Sequence, residues 1–242
     1  MTAEQSTDQP PGYQPHIGES RQYWRDIILG VNDGLVSIFL LVIGVVGAGL
    51  ETQQVLVTAV AGALAGAVSM AAGEYLATKS QDEVLNAELT LERQHIRDFK
   101  EMELAQLRGF FSEMGVEEDD LDHVVAAFGK SDETLLNAMA SLEFGVVESE
   151  RRSPYLAMAA SGLLFLLGSL TSIVPFLLTE SATEAIIWAA VLSMAGLFIV
   201  GVVKARVAGA NWFVAGAENM LIAGIGGLIA WFIGDAMGAV LT

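Results

Sequence analysis

Four groups of side chains combine residue types and spacings that could do chemistry. The first is a lone acid, Asp33, inside the otherwise apolar stretch LGVNDGLVSIFLLVIGVVGAGL at residues 29–50. An ionised carboxylate within a membrane span costs roughly 2.5 to 3.5 kcal/mol on insertion scales and usually faces a wet path or a partner. The second is Met70 with Glu74, four residues apart and so on one helical face. A thioether beside a carboxylate suits a transition-metal cation better than sodium or a sugar. The third is a stripe. With about 100° per residue counted from Glu92, Glu88 and Gln106 fall near −40°, His95 near −60°, Phe99 near −20° and Glu103 near +20°. The fourth, Met139 with Glu143, repeats the methionine-plus-carboxylate pair. If its helix folds back on the stripe, the two make an O/N/S cage suited to Fe²⁺ or Mn²⁺ and extending to Zn²⁺.

Each group has a plainer explanation. Asn32-Asp33-Gly34 can cap a helix at an interface, Met70 can simply pack, and Glu74 can sit at headgroup depth near Lys79. A stripe of carboxylates is commonly a solvated face. Glu218 and Asp235, in the last apolar segment, are weaker candidates because either can lie near an interface. His16 and His123 are isolated. The chain has no P-loop, no Ser-His-Asp arrangement and no basic nucleic-acid patch.

The elements that must position these groups follow from how charge is distributed. The chain is 242 residues long, 53% hydrophobic, and yet has a formal net charge of −17. These facts are compatible because the charge is segregated: between Lys79 and Ser153 lie 18 of the 29 acids and eight of the 12 basic residues. The absence of cysteine excludes disulfides, thiolate zinc sites, iron–sulfur clusters and cysteine nucleophiles. With four lysines against eight arginines, the acidic balance also fits a salt-adapted organism.

A bilayer core about 30 Å thick needs roughly 20 helical residues. Five segments meet that need: about Asp26 to Leu50, Val55 to Thr78, Tyr155 to Leu178, Ala185 to Val203, and Trp212 to Leu241. The last is long enough to tilt or break. The expected fold is thus an all-α membrane protein of five spans with a three-helix cytoplasmic domain between spans two and three. Its parts are a disordered tail (1–24) that turns helical near Ser20, spans one and two (25–78), the acidic helical domain (79–153) and spans three to five (154–242). The tail lacks the pattern of a cleavable signal peptide. In this arrangement all 12 basic residues lie on one side, and the positive-inside rule makes that side cytoplasmic and puts the C-terminus outside. No proline or glycine except Gly109 interrupts Tyr75 to Met114, which predicts one long helix leaving span two and ending at Gly115. A second helix fits VEEDDLDHVVAAFG, and a third fits SDETLLNAMASLEFG with Ser131 as N-cap and Gly145 beyond its end. In span two, Gly62, Gly66, Ala63, Ala67 and Ser69 favour close helix packing.

RDIILGVNDGLVSIFLLVIGVVGA, then AGAVSMAAGEYLATKSQDE, then a polar helical insert before three more spans, resembles the vacuolar iron transporter family. The resemblance implies a homodimer of five-span subunits with the ion path between them, and export of divalent iron or manganese from the cytoplasm in exchange for protons. It implies that Asp33 and Met70 line the path, and that glutamates from the first domain helix and methionine plus glutamate from the third bind metal. Glu92, Glu103, Met139 and Glu143 fit that pattern. His95 and Gln106 stand where further glutamates are expected, and Ala140 where a second methionine is.

The expected function is therefore a secondary transporter, not an enzyme, with path residues Asp33, Met70 and Glu74 and a capture site of Glu92, His95, Glu103, Gln106, Met139 and Glu143. The divalent ion is substrate, with no permanently bound cofactor. The expected partners are lipid and a second copy of the chain, with no nucleic acid. The alternative is a membrane-anchored storage or sensing protein. A di-iron oxidase ranks lower, because such bundles use a Glu-x-x-His from each of two helices and only Glu92 to His95 has that spacing. Composition points to a prokaryotic plasma membrane.

Overall fold

The computed structural model describes residues 20–145 and 152–241. Within them eight α-helices and no strands occur: α1 (Ser20–Gly47), α2 (Thr52–Asp98), α3 (Lys100–Glu113), α4 (Glu118–Phe128), α5 (Asp132–Glu143), α6 (Pro154–Leu178), α7 (Ala182–Ala208) and α8 (Trp212–Leu241). Five of these are long and apolar enough to cross a membrane: α1, α2, α6, α7 and α8. Helix α8 is unbroken. Of the tail expected over residues 1–24, residues 1–19 lie outside the described residues and residues 20–24 form the start of α1.

The spans alternate in direction. Gly30, Gly34 and Gly168 place α1 beside α6 in parallel register, whereas Gly66 and Gly162 place α2 antiparallel to α6. Gly234 and Gly238 face Gly44 and Ala48, so α8 also runs parallel to α1. Helix α6 packs against α1, α2 and α7 and buries Ser161, Phe165, Ser169, Ser172 and Phe176. Its hydroxyls are satisfied locally: Ser169 donates to the Phe165 carbonyl at 2.8 Å, and Ser172 pairs with Ser193 of α7 at 3.0 Å. The outer faces carry exposed Val57, Leu64, Val68, Leu163, Leu167, Ile187, Leu221, Leu228 and Phe232. That apolar outside is the surface lipid requires. Tyr23, Trp24, Tyr75 and Tyr155 gather at one end of the bundle, residue types that favour headgroup depth, with the Tyr75 and Tyr155 rings 5.4 Å apart.

The acidic domain departs from the expected three helices. Helix α2 does run on past the bundle, but it stops at Asp98, and Phe99 (φ −137°, ψ 37°) separates it from α3. The domain is built from the end of α2 with α3, α4 and α5. No glycine or proline marks the break. What it accomplishes is tertiary: Ile96 of α2, Leu107 of α3, and Leu135, Leu136 and Met139 of α5 form one buried cluster, which a straight α2–α3 rod would not close. The ends of the other two helices agree with their sequence signals. Ser131 accepts from the Thr134 N–H at 3.0 Å to cap α5, and Gly115 and Gly145 follow α3 and α5 at φ +93° and +65°.

The seam between α1 and α6 is among the tightest in the bundle. A Cβ on Gly34 would lie 2.1 Å from the Phe165 carbonyl oxygen, and one on Gly168 would lie 2.3 Å from that of Val31. Because both obstacles are backbone, the helices themselves must separate to admit a methyl. Gly34→Ala is expected to destabilise the protein by about 1–3 kcal/mol, read as a lower unfolding temperature in detergent. Gly109→Ala in α3, where a Cβ meets nothing within 4 Å, is expected not to lower it, alanine being the better helix former.

Candidate functional site

Helices α1, α2 and α6 form an open cavity of about 420 Å³ lined by Asp33, Ser37, Ile38, Leu41, Gly62, Gly66, Ser69, Met70 and Phe165. Its polar wall is local in origin. Asp33 and Ser37 are one turn apart on α1, and the Ser37 hydroxyl donates to Asp33 Oδ1 at 2.9 Å. Gly66 leaves room for the Phe165 ring, which forms the α6 side. Away from the α1 start the cavity meets the apolar cluster of Ile38, Val42, Val55 and Ala59. Hard and soft donors, one carboxylate, two hydroxyls and a thioether, thus share a small space within the spans, a set a transition-metal cation can use.

Glu74 does not line this cavity. It lies about 6 Å further along α2, one turn past Met70, within a cluster of charges. Arg152, two residues before the start of α6, pairs with buried Asp26 of α1 and reaches within 3.7 Å of Glu74 Oε1. Arg25 stands 3.3 Å from Asp26 and 4.0 Å from Glu74. Lys79, which the plainer reading paired with Glu74, instead bridges to Glu83 at 3.6 Å. Burial, then the charge of Arg25, holds the Arg152 guanidinium below its usual range.

The acidic domain holds a second constellation. Ligand atoms of Glu92, His95 and Glu103 lie within 4.8 Å of one another, His95 Nδ1 being 3.9 Å from Glu92 Oε2 and 3.6 Å from Glu103 Oε1. Sharing a helical stripe does not explain this closeness, because on a continuous helix Glu92 and Glu103 would be about 16.5 Å apart along the axis. The break at Phe99 turns α3 back and brings them together. Glu92 Oε1 and Glu103 Oε2 are buried with no hydrogen-bond partner, a costly state that a bound cation or proton would relieve. Burial, then the charges of Glu103 and Glu143, push the Glu92 carboxyl up to about 7 against a smaller opposing effect of His95.

The remaining sequence candidates divide. Glu143 is exposed at the end of α5 but close enough to act on Glu92. Met139 is fully buried among Ile96, Leu107 and Leu135, so α5 does fold back on α2. Gln106, Glu88, Glu218 and Asp235 are exposed, and the structure groups none of them with the residues above. Sequence reasoning assigned Ser69 to packing and missed Ser37, Asp26, Arg25 and Arg152. Ser37 was visible as a hydroxyl one turn from Asp33. The pairing of Asp26 with Arg152 joins the start of the first span to the start of the third, and only their common depth could have pointed to it.

The VIT family model matches residues 24–235. The chain is 29% identical over 213 residues to vacuolar iron transporter 2 of Oryza sativa subsp. japonica, covering 88% of this chain and 87% of the relative. It is 30% identical over 207 residues to vacuolar iron transporter 1 of Arabidopsis thaliana (86% and 83% covered). It is also 28% identical over 231 residues to a vacuolar iron transporter of Toxoplasma gondii (92% and 76%).

The Glu92 environment makes the metal-free acidic domain sensitive to pH. Between the ordinary 4.5 and about 7, the folded chain keeps a proton that the unfolded chain has lost. The stabilisation is therefore full below the lower value and disappears as pH rises through the upper one. Hydrogen exchange in α5, corrected for intrinsic rates, should show protection falling by on the order of 1–2 kcal/mol from about pH 5 to pH 8. Glu92→Gln should flatten that profile.

Proposed function

The chain belongs to the VIT family, and from that premise we propose that it is a secondary transporter that moves Fe²⁺ or Mn²⁺ out of the cytoplasm in exchange for protons. The observation that carries this reading is the cavity within the spans where Asp33, Ser37, Ser69 and Met70 meet. The names of its relatives, vacuolar iron transporters, favour iron. The acidic domain is the capture site. Glu92, His95 and Glu103 supply its ligands, Glu143 adds negative charge beside them, and Met139 is the neighbouring thioether.

Asp33 is the group whose charge must always be matched. A divalent ion entering the cavity binds its carboxylate and the Met70 sulfur, while Ser37 fixes the carboxylate's orientation by its hydrogen bond. On release a proton takes the ion's place, so that a bare carboxylate never faces the poorly hydrated interior. Glu74 acts one turn nearer the mouth. Ser69 is exposed on the face of α2 in a single chain, so a lone subunit would open this polar cavity sideways to lipid. A second copy laid on α2 closes it, which supports a homodimer with the path at its interface. The basic residues supply the orientation: the start of α1 and the acidic domain lie in the cytoplasm and the end of α8 outside. The low-lysine, acidic composition is what supports a prokaryotic plasma membrane.

In sealed proteoliposomes Asp33→Ala is expected to abolish metal-dependent uptake while the protein remains folded and dimeric by size-exclusion chromatography. Unchanged flux would refute the role of Asp33. Deleting residues 80–150 separates this reading from a membrane-tethered storage protein: a transporter keeps some flux through its spans, whereas a tethered binder has none in the intact protein either.

Metal binding by the acidic domain should strengthen with pH, because the ion binds the ionised carboxylate. Below the value of about 7 for Glu92, Mn²⁺ affinity measured by calorimetry should rise by up to about tenfold per pH unit, levelling off above it.

A further inference from the structure

The charges at the α1 start hold more than a structural anchor needs. Asp26 stands two turns before Asp33 on the same face of α1, about 10.5 Å along the axis, and Glu74 stands one turn beyond Met70 on α2. Both acids therefore continue the cavity's two polar faces toward the headgroup end. Asp26 is 5% exposed, and the side chains of Glu74 and Arg152 are 17% and 10% exposed. Arg152 lies between the acids, one terminal nitrogen on Asp26 and the other 3.7 Å from Glu74.

Two features distinguish this from a well-made structural ion pair. Arg152 Nε is buried without an acceptor, so the guanidinium is incompletely satisfied. Glu74 is held by Arg152 and Arg25 only at 3.7 and 4.0 Å, beyond hydrogen-bond length. The charges also balance in a particular way, since two guanidinium groups facing two carboxylates carry together the charge of one divalent cation. Either occupant leaves the mouth neutral.

We propose that Arg152, assisted by the more exposed Arg25, is an internal counter-cation that occupies Asp26 and Glu74 and must be displaced by the divalent substrate at the mouth of the path. The proposal rests on the transport reading for the meaning of that path. Arg152 then sets the affinity of entry: it keeps the acids neutral when no ion is present, and it weakens binding by competing for the same oxygens. Its position two residues before Pro154, the first residue of α6, lets it leave the site by side-chain rotation without moving a span.

The probe is Mn²⁺, measured two ways on the full chain. In detergent, with Glu92→Gln and Glu103→Gln removing the acidic-domain ligands, equilibrium binding of Mn²⁺ should tighten by roughly three- to tenfold on Arg152→Gln. The gain should vanish when Asp26→Asn is added. In proteoliposomes without the domain substitutions, Arg152→Gln should lower the half-saturating Mn²⁺ concentration by a similar factor. Arg152→Lys, with one charge but no fork to span both acids, should fall between, and it decides the matter if the glutamine variant does not fold. A merely structural arginine would give weaker binding or none, so unchanged or weakened affinity in the folded variants overturns the proposal. Tightened binding with no flux in the unsubstituted protein would instead overturn the transport reading and leave the counter-cation standing.

Discussion

A carboxylate removed from water needs positive charge, a proton or hydrogen-bond donors, and the architecture is organised around several that are so removed. The protein answers the need differently at three depths. At Asp33 a serine hydroxyl one turn away donates to it. At Asp26 and Glu74 two arginines supply the charge. At Glu92 and Glu103 a half-exposed histidine stands near, and each glutamate keeps a buried oxygen without a partner. The third answer is the least complete, and there burial and neighbouring acids raise the Glu92 carboxyl to about 7. A site left short of positive charge is one that a cation completes.

Helix α2 ties these depths together. It is continuous from Thr52 to Asp98 and carries Met70, Glu74 and Glu92. Glu74 and Glu92 are 18 residues apart, a whole number of turns, so they share a face about 27 Å apart. One rigid rod thus fixes the register between the acidic domain and the cavity. The seam of α1 on α6 fixes the opposite wall: with no side chain at Gly34 or Gly168 the two backbones touch, and Phe165 is placed against Gly66 where it forms one wall of the cavity. Small residues in these spans thus set the cavity's dimensions as well as the helix spacing.

What could be read from the sequence was what depends on local pattern. Five spans follow from apolar run length and the α5 cap from Ser131, whereas the grouping of Asp33 with Met70 came from the resemblance to a known family, their types and spacing alone marking them only as separate candidates. The misreadings share one cause. Helical angles gave Glu92 and Glu103 a common face only on the premise of one continuous helix, whereas the two meet because the chain breaks at Phe99, where no glycine or proline marks the bend. Packing of Ile96 and Leu107 onto Met139 decides it. The plainer reading put Glu74 at headgroup depth near Lys79, and the cations that reach it come from further off in the chain, Arg25 on α1 and Arg152 after the acidic domain.

That last placement bears on how capture and passage relate. Glu143 ends α5 beside Glu92, and Arg152 stands nine residues later in the chain against Asp26 and Glu74. The acidic domain is thus connected to the bundle at two points, by the rod of α2 and by the chain returning into α6. The first point is stiff, a helix with its hydrogen bonds intact. The second ends in an ion pair with an unsatisfied nitrogen, whose strength depends on what else occupies the acids. A rigid connection keeps the acidic domain aligned with the cavity, while on the proposed displacement the charge-dependent one lets Arg152 respond to an ion at the mouth. On the proposed transport, unequal connections of this kind hold the register between acidic domain and cavity without also fixing the residues that an entering ion would push aside.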